Sequence, residues 1–258
     1  MSTTTVKTAT PALDKIMLII DFIAHNGPQT FSTIYQSLAL PKSSTSTLLN
    51  SMLAHKLLRQ DHDKFDLGLR LYEIGSYAFA HFDIKEFALP VLKKLRDDTD
   101  LTCHLGILEG TNPVYLLKIE SSYPVIINSW IGKRLSFNQF CLGKLLLIFF
   151  SRSKKPGKLP CPAASLYLNL LLNTITDDKL LFEQIKEIKG RRINAIDDEE
   201  DAKGIFCLAA PDIKFAKVEL LAAISMSGVL AQYDKMPMEK FVERLKEAAA
   251  AISLKTSD

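Results

Sequence analysis

Three predicted helices followed by a strand–turn–strand segment occupy the first 70 residues, and this order constrains the fold more than any other feature. From Ala12 to His25 apolar side chains recur every three or four residues, which predicts an amphipathic helix. Asn26-Gly27-Pro28 ends it, because glycine adopts the left-handed cap conformation and proline cannot continue a helix. A short helix is expected at Ser32–Leu38, and Leu40-Pro41 separates it from a third helix.

The third predicted helix begins at Lys42 with an unbroken run of hydroxyl side chains. The run consists of Ser43, Ser44, Thr45, Ser46 and Thr47. Hydroxyls at the start of a helix can cap its bare backbone N–H groups, and they can also donate to phosphate oxygens. The face expected to be buried consists of Leu48, Leu49, Met52 and Leu53.

A predicted hairpin follows, with strands at Leu57–Gln60 and Lys64–Leu67 around the polar turn Asp61-His62-Asp63. Three helices and a hairpin are the order of a winged helix-turn-helix, in which the third helix lies in the DNA major groove. The formal net charge of the chain is only +3, which is too small to identify a nucleic-acid binder. Between Pro28 and Leu58, however, the basic residues are unaccompanied by any acidic residue. DNA binding is therefore indicated locally and not by bulk charge.

The rest of the chain predicts a mixed α+β domain. Helices are expected at Leu69–Phe82 and Ile84–Asp98, and strands at Thr102–Glu109, Val114–Glu120 and Val125–Trp130 predict an antiparallel meander. The inward face expected for the second of these helices consists of Phe87, Val91, Leu92 and Leu95. The later predicted elements are helices at Asn138–Ser151, Asp177–Lys189 and Pro237–Leu254, and strands at Phe206–Ala210 and Val218–Ser227.

The cysteines and the apolar runs indicate a cytoplasmic protein that needs no cofactor or metal. The four cysteines form no C-x-x-C pair and no cluster with histidine, so their spacing indicates no zinc site, no redox dithiol and no disulfide scaffold. The most apolar stretch, Leu145–Phe150, is far shorter than the ~20 residues of a membrane span. The N-terminal residues lack the apolar run of a signal peptide.

Several strings occur in an order that resembles the IclR family of bacterial transcriptional regulators, across about residues 10–254. They are Leu40-Pro41-Lys42-Ser43, Leu67-Gly68-Leu69-Arg70-Leu71, Gly132-Lys133-Arg134-Leu135, Leu142-Gly143-Lys144, Asn173-Thr174-Ile175-Thr176-Asp177, Asp197-Asp198-Glu199-Glu200, Cys207-Leu208-Ala209-Ala210-Pro211 and Ile224-Ser225-Met226-Ser227-Gly228. The resemblance implies a winged helix-turn-helix at residues 8–68, a linker helix at 69–83, and a GAF-like effector-binding domain with an antiparallel sheet at 84–258. It further implies a double-stranded DNA operator, a small effector, and a homodimer or dimer of dimers.

The resemblance places the DNA contacts on the third helix and the hairpin. The implied residues are Lys42, Ser43, Ser44, Thr45, Ser46, Thr47 and Lys64. Many family members carry arginine where this chain has Thr47, and a basic residue where it has Asp66. A bidentate arginine–guanine contact contributes about 1–3 kcal/mol of base discrimination. We therefore expect binding to depend on phosphate contacts, dimer spacing and DNA shape.

The resemblance also implies an effector pocket walled by the sheet and by the helix that carries Leu142. Its implied lining is Cys141, Leu142, Asp197, Cys207, Ser225 and Ser227. Ser225 and Ser227 are two residues apart in a predicted strand and share one face. Buried hydroxyls need partners, and a small carboxylate such as a sugar acid or organic acid could supply them. Phe140 and Cys141 replace smaller residues of many relatives, so a reduced cavity is expected.

Other interpretations stay open at this point. One is an effector-binding interaction protein whose hydroxyl run, Ser43–Thr47, is only a capping cluster in a degenerate DNA-binding domain. Another is a hydrolase with Cys207 or Cys141 as nucleophile, although no G-x-S-x-G string is present. The acidic run Asp197–Asp201 lacks calcium-loop spacing and is expected to be a solvated turn, with Asp197 towards the pocket. Repression relieved by the effector is the expected sign of regulation.

Overall fold

The computed structural model describes residues 8–110, 112–135, 141–146, 183, 195–198, 203–214 and 221–255. The chain divides into two compact units, Met1–Phe82 and Asp83–Asp258. No helix in this described part of the chain is both long and apolar enough to cross a membrane.

The first unit is a helical domain with a small antiparallel sheet. Its elements are α1 (Pro11–Asn26), β1 (Gln29–Thr30), α2 (Phe31–Ser37), α3 (Lys42–Ala54), β2 (Leu58–Asp61), β3 (Lys64–Leu67) and α4 (Leu69–Ala80). The strands pair antiparallel in the order β1-β3-β2. The predicted order of three helices and a hairpin is confirmed.

The helices of the first unit begin and end where the local chemistry requires. Pro11 occupies the first turn of α1, where its missing N–H group costs no hydrogen bond, and Gly27 follows the helix with φ of 73°. The hydroxyl of Thr30 accepts from the Thr33 amide and so caps α2. The buried core that these elements enclose consists of Ile19, Ile23, Ile34, Leu49, Met52, Leu58 and Phe65.

Gly68 fixes the close approach between the base of the hairpin and the start of α4. A Cβ atom at this position would collide with the backbone carbonyl of Lys56, so only glycine fits. The Gly68 amide donates to the Leu57 carbonyl at 2.8 Å. Substitution here would displace the chain at the point where α4 begins.

The second unit is built on a five-stranded antiparallel sheet of order β5-β4-β8-β7-β6. Its elements are α5 (Ile84–Thr99), β4 (Thr102–Glu109), β5 (Asn112–Ile119), β6 (Ala195–Asp198), β7 (Ile205–Lys214), β8 (Leu221–Val229), α6 (Leu230–Tyr233) and α7 (Met238–Lys255). Residues 141–146 are helical as well. The predicted α+β composition with an antiparallel sheet is confirmed.

The two faces of this sheet differ because side chains alternate along each strand. One face carries apolar cross-strand rows, of which Leu105, Ile224 and Ala210 are one example. Helix α5 contacts β4 and β5, helix α7 contacts β7 and β8, and the two helices contact each other. The opposite face is covered by the helical segment 141–146, because Gly106 on that face directly abuts the side chain of Leu142.

The predicted third strand of the meander, Val125–Trp130, is wrong. These residues, all described, form no strand, and Ile126 is 84% exposed. The carbonyls of Ile127 and Ser129 accept hydrogen bonds from the Lys118 ammonium at 3.1 and 2.8 Å instead of joining a strand. The second neighbour of β4 is β8, a pairing between residues more than a hundred positions apart.

Two smaller predictions are also corrected. Phe87 does not face inward, because the buried positions of α5 follow a different stripe, formed by Ile84, Ala88, Leu92, Leu95 and Thr99. Asp197 does not lie in a turn, because Ala195–Asp198 form the edge strand β6. The predicted helix at Asp177–Lys189 lies outside the described residues except for the helical Glu183, and the predicted helix at Asn138–Ser151 is described only at 141–146.

Candidate functional site

Helix α3 presents a polar outward face. Its exposed residues in the first three turns are Lys42, Ser43, Ser46, Thr47, Asn50 and Ser51, and Ser44 is half-buried. Thr45 is different, since it is fully buried and its hydroxyl donates to the Pro41 carbonyl at 2.9 Å. Thr45 is therefore a core residue, and its expected role as a DNA contact is wrong.

The hydroxyls of α3 do not cap the helix. The residue at the N-cap position is Pro41, and no side chain caps the first turn. Ser44 and Thr47 donate to carbonyls three and four residues earlier, Pro41 at 3.1 Å and Ser43 at 3.3 Å. The capping interpretation is thus wrong, and the first-turn amides of α3 receive no side-chain acceptor from the described residues. A helix N-terminus of this kind favours an anion.

Asn50 extends this face and was not singled out from the sequence. It lies three residues after Thr47 and four after Ser46, so helical spacing alone places it on the same side. Asparagine can donate to and accept from an adenine edge. The sequence contained this information, because the helical spacing of Asn50 from Ser46 and Thr47 places the three residues on one face of α3.

The hairpin contributes one exposed lysine and a neutralised acidic residue. Lys64 is exposed at the start of β3. Asp66 forms an ion pair with Arg59 on the opposite strand, and its carboxylate also accepts from the Leu67 amide. The hydrogen bond from Arg59 is the main cause that holds the pKa of Asp66 below its ordinary value. The acidic residue in the wing therefore carries its own counterion.

In the second unit the strand register gathers buried polar residues on the sheet face beneath segment 141–146. His104 pairs with Ser225, and Ser227 pairs with both Thr102 and Cys207. Directly opposed residues in an antiparallel sheet lie on the same face. The four polar residues of β4 and β8 in this set are all nearly inaccessible to solvent. Asp197 on the edge strand pairs with Cys207 in the same register.

Segment 141–146 joins this face through its first two residues. Cys141 and Leu142 are fully buried, and Leu142 lies against Gly106. The structure pairs the sulfur atoms of Cys141 and Cys207 in a disulfide, with Cα atoms 6.4 Å apart. The spacing of the cysteines in the sequence does not indicate this pair, because the fold brings together two residues that are 66 positions apart. In this state neither sulfur is a thiolate nucleophile.

His104 is the central polar residue of this face. Its ring stacks on Tyr115 with centroids 4.4 Å apart, and its Nε2 atom lies 2.8 Å from the Ser129 hydroxyl. Burial, followed by the charges of Lys118 and Lys133, lowers the pKa of His104 to about 3. The imidazole is therefore neutral at ordinary pH. Its Nδ1 atom and the Ser225 hydroxyl have no hydrogen-bond partner among the described residues.

His104 lies in the alternating sequence of β4, which does not by itself assign it to a site. Alternation along β4 puts it on the same face as Thr102, but the pairing with Ser225 depends on the register of two distant strands. The structure thus brings Cys141, Leu142, Cys207, Ser225 and Ser227 to one covered face and adds His104 to them.

Comparison with known proteins identifies the chain's relatives. Residues 77–254 match the bacterial transcriptional regulator IclR C-terminal domain, and residues 12–62 match the IclR helix-turn-helix domain. The uncharacterized HTH-type transcriptional regulator RhmR of Escherichia coli (strain K12) is 34% identical over 226 residues, which cover 87% of this chain and 85% of RhmR. The transcriptional repressor IclR of the same organism is 23% identical over 94% of this chain and 89% of that protein.

A solved structure has the same fold. It is an IclR homolog complexed with 4-hydroxybenzoate from Microbacterium hydrocarbonoxydans, with a TM-score of 0.75 and 22% sequence identity, covering 95% of this chain and 98% of that chain. The family domains together cover most of the sequence, and both units of the fold are represented in these relatives. The chain therefore belongs to the IclR family of bacterial transcriptional regulators.

Proposed function

We propose that the protein is a DNA-binding transcriptional repressor whose affinity for its operator is lowered by a small carboxylate effector. Family membership supports the class of function. The observation that carries the effector is Ser225, whose hydroxyl is fully buried without a partner among the described residues. Because buried polar groups are rarely unsatisfied, a bound ligand is the natural partner for this hydroxyl.

The proposed DNA contacts lie on α3 and on the hairpin. They are Lys42, Ser43, Ser44, Ser46, Thr47 and Asn50 on the helix, and Lys64 in the wing. The uncapped first turn and the lysines supply phosphate contacts, which fix the position of the protein on the duplex. Since Thr47 cannot make the bidentate contact of an arginine, base discrimination is assigned to Asn50, dimer spacing and DNA shape.

Helix α4 supports assembly as a homodimer or a dimer of dimers. None of its twelve residues is buried within the chain. Leu69, Tyr72 and Tyr77 are 79%, 77% and 68% exposed, and Ile74 is half-exposed. An exposed apolar surface of this kind marks an interaction site, and a second copy of the helix has the same apolar character. Two winged units held in this way would contact two half-sites of an operator.

The covered face of the second unit is the proposed effector pocket. Its proposed lining is Cys141, Leu142, Asp197, Cys207, Ser225 and Ser227. Hydroxyl donors beside the apolar side chain of Leu142 suit an organic acid or sugar acid that has both a polar end and a less polar body. The solved relative complexed with 4-hydroxybenzoate provides a precedent for such an acid in this fold.

The effector regulates DNA binding only through its preference for one arrangement of the dimer. An acid that binds equally to the DNA-bound and free arrangements would change nothing, whatever its affinity. We propose that the protein represses transcription and that the acid releases it from DNA. One relative is likewise named as a transcriptional repressor. The coupling expected for such systems is about 5- to 150-fold in affinity.

A gel-shift experiment on the DNA next to the protein's own gene tests both sites together. We expect a specific complex at moderate salt and its loss when an effective acid from a panel of sugar, keto and aromatic acids is added. The double variant Ser225→Ala/Ser227→Ala should keep the complex but no longer respond to the acid. A complex that no acid dissociates would refute the effector part of the proposal.

One alternative has a specific observation in its favour. Because Thr47 replaces the arginine of many relatives, the chain could be an effector-binding interaction protein with a degenerate DNA-binding unit. The same gel shift decides, since this alternative predicts no sequence-specific complex with or without acid while acid binding persists in calorimetry.

A further inference from the structure

Two unpartnered polar atoms lie on neighbouring strands of the covered face. The Nδ1 atom of His104 and the hydroxyl of Ser225 are both fully buried, and neither has a hydrogen-bond partner among the described residues. The two residues are directly opposed in the β4–β8 ladder. Side chains opposed in this way have Cβ atoms about 4.5–5.5 Å apart. A single ligand atom can therefore reach both groups.

The contacts of Ser129 favour one tautomer of the His104 ring. The Ser129 hydroxyl lies 2.8 Å from Nε2 and 3.5 Å from the Ile127 carbonyl. The contact with Nε2 is the shorter of the two, which favours the tautomer in which the Ser129 hydroxyl donates to Nε2. In a neutral imidazole the other nitrogen, Nδ1, is then the N–H donor.

We propose that His104 is a specificity-determining effector contact, in which its Nδ1–H group and the Ser225 hydroxyl together donate to one carboxylate oxygen of the effector. This inference rests on the proposed function and adds to the pocket a residue outside the lining assigned above. A carboxylate suits the pair because it accepts from both donors and has no hydrogen of its own to oppose them.

The neighbouring contacts make His104 a fixed donor. Stacking on Tyr115 and the bond to Ser129 hold the ring, and Lys118 and Lys133 oppose a second proton on it. A neutral N–H donor orients the bound carboxylate without adding a positive charge to a buried site. Ser129 is accordingly a positioning residue that acts through His104.

Calorimetry with pyruvate, D-gluconate and 4-hydroxybenzoate as probes tests the inference on the full-length protein. His104→Phe keeps an aromatic ring against Tyr115 but removes the donor, and we expect about 10- to 100-fold weaker binding of the acid that the wild type binds. His104→Asn places an amide N–H donor near the position of Nδ1, so it should remain within a few-fold of the wild type. In combination with Ser225→Ala, the effects should be less than additive, because both donors serve one oxygen.

Thermal unfolding distinguishes a ligand contact from a structural role. At neutral pH His104→Phe should keep or raise the melting temperature, because it removes an unsatisfied buried group. The matched control is Cys103→Ala, one position earlier in β4 on the opposite, apolar face. It should lower the melting temperature and leave acid affinity unchanged.

The possible failures are separable. If the wild type binds one of the acids and His104→Phe binds it equally well, the inference is wrong while the proposed function stands. The inference is equally overturned if His104→Phe unfolds several degrees earlier than the wild type, since the ring nitrogen is then structural. If the wild type binds none of the acids, the carboxylate function and this inference fail together.

Discussion

At the scale of single residues, the neutral state of His104 links folding to pH. The folded pKa of about 3 is held down by burial and by Lys118 and Lys133, whereas an unfolded histidine titrates near ~6.5. Between these values the unfolded chain binds a proton that the folded chain does not. The stability that depends on keeping His104 neutral is therefore fully present above pH ~6.5, and it is lost progressively as the pH falls below that value. At pH 5 the loss amounts to about 2 kcal/mol.

His104→Phe should remove this part of the acid sensitivity. We expect the free energy of unfolding of the second unit to fall between pH 8 and pH 5 by about 2 kcal/mol less in the variant than in the wild type. Trp130, the single tryptophan, lies in this unit and reports its unfolding in urea. Cys103→Ala should retain the wild-type pH dependence. Equal pH dependence in His104→Phe and the wild type would mean that His104 is already charged in the fold.

At the scale of secondary-structure elements, the contribution of α3 and the hairpin to DNA binding can be measured through salt. Each phosphate contact by a lysine adds about 0.9 to the slope of log affinity against log salt concentration. Lys42→Ala and Lys64→Ala should each weaken binding to all DNA sequences and lower this slope by about 1. Fluorescence anisotropy from low to moderate salt measures it, with Lys94→Ala on α5 as the control. An unchanged slope in both variants would show that neither lysine contacts a DNA phosphate.

Elements with a local signal could be predicted from the sequence, whereas distant pairings could not. The predicted bounds of β4, Thr102–Glu109, agree with the observed ones because alternation and flanking turns define that strand. Val125–Trp130 has the composition of a strand, but the Lys118 ammonium takes two of its carbonyls. The edge strand β6 is short and acidic, and its assignment depends on pairing with β7.

The same limit applies to the candidate site. Spacing alone placed Ser225 and Ser227 on one face, and the resemblance supplied Cys207. The contact of Cys141 with Cys207, and of His104 with the Ser225 row, requires the register of strands from distant parts of the chain. Thr45 shows the converse error, since its place in a polar run concealed that it is fully buried.

At the scale of the whole molecule, α4 makes the proposed dimer testable without disturbing either fold. Tyr72→Lys/Tyr77→Lys places two charges on a helix that buries no residue within its own chain. Light scattering after size exclusion should therefore show a smaller assembly. The circular dichroism spectrum of the variant should still be that of a folded protein, and the variant should still unfold in a thermal transition. Glu86→Lys on α5 is the charge-matched control. An unchanged assembly would exclude α4 from the interface.

In the proposed regulator, one acid and one operator bind the same assembly and oppose each other. The most direct test measures the affinity for the DNA with and without saturating acid, and the affinity for the acid with and without saturating DNA. Because coupling is reciprocal, both affinities should fall by the same factor, about 5- to 150-fold. Ser225→Ala/Ser227→Ala should abolish acid binding and leave DNA affinity at its acid-free value. Acid binding that leaves DNA affinity unchanged would exclude a repressor that is released by the acid.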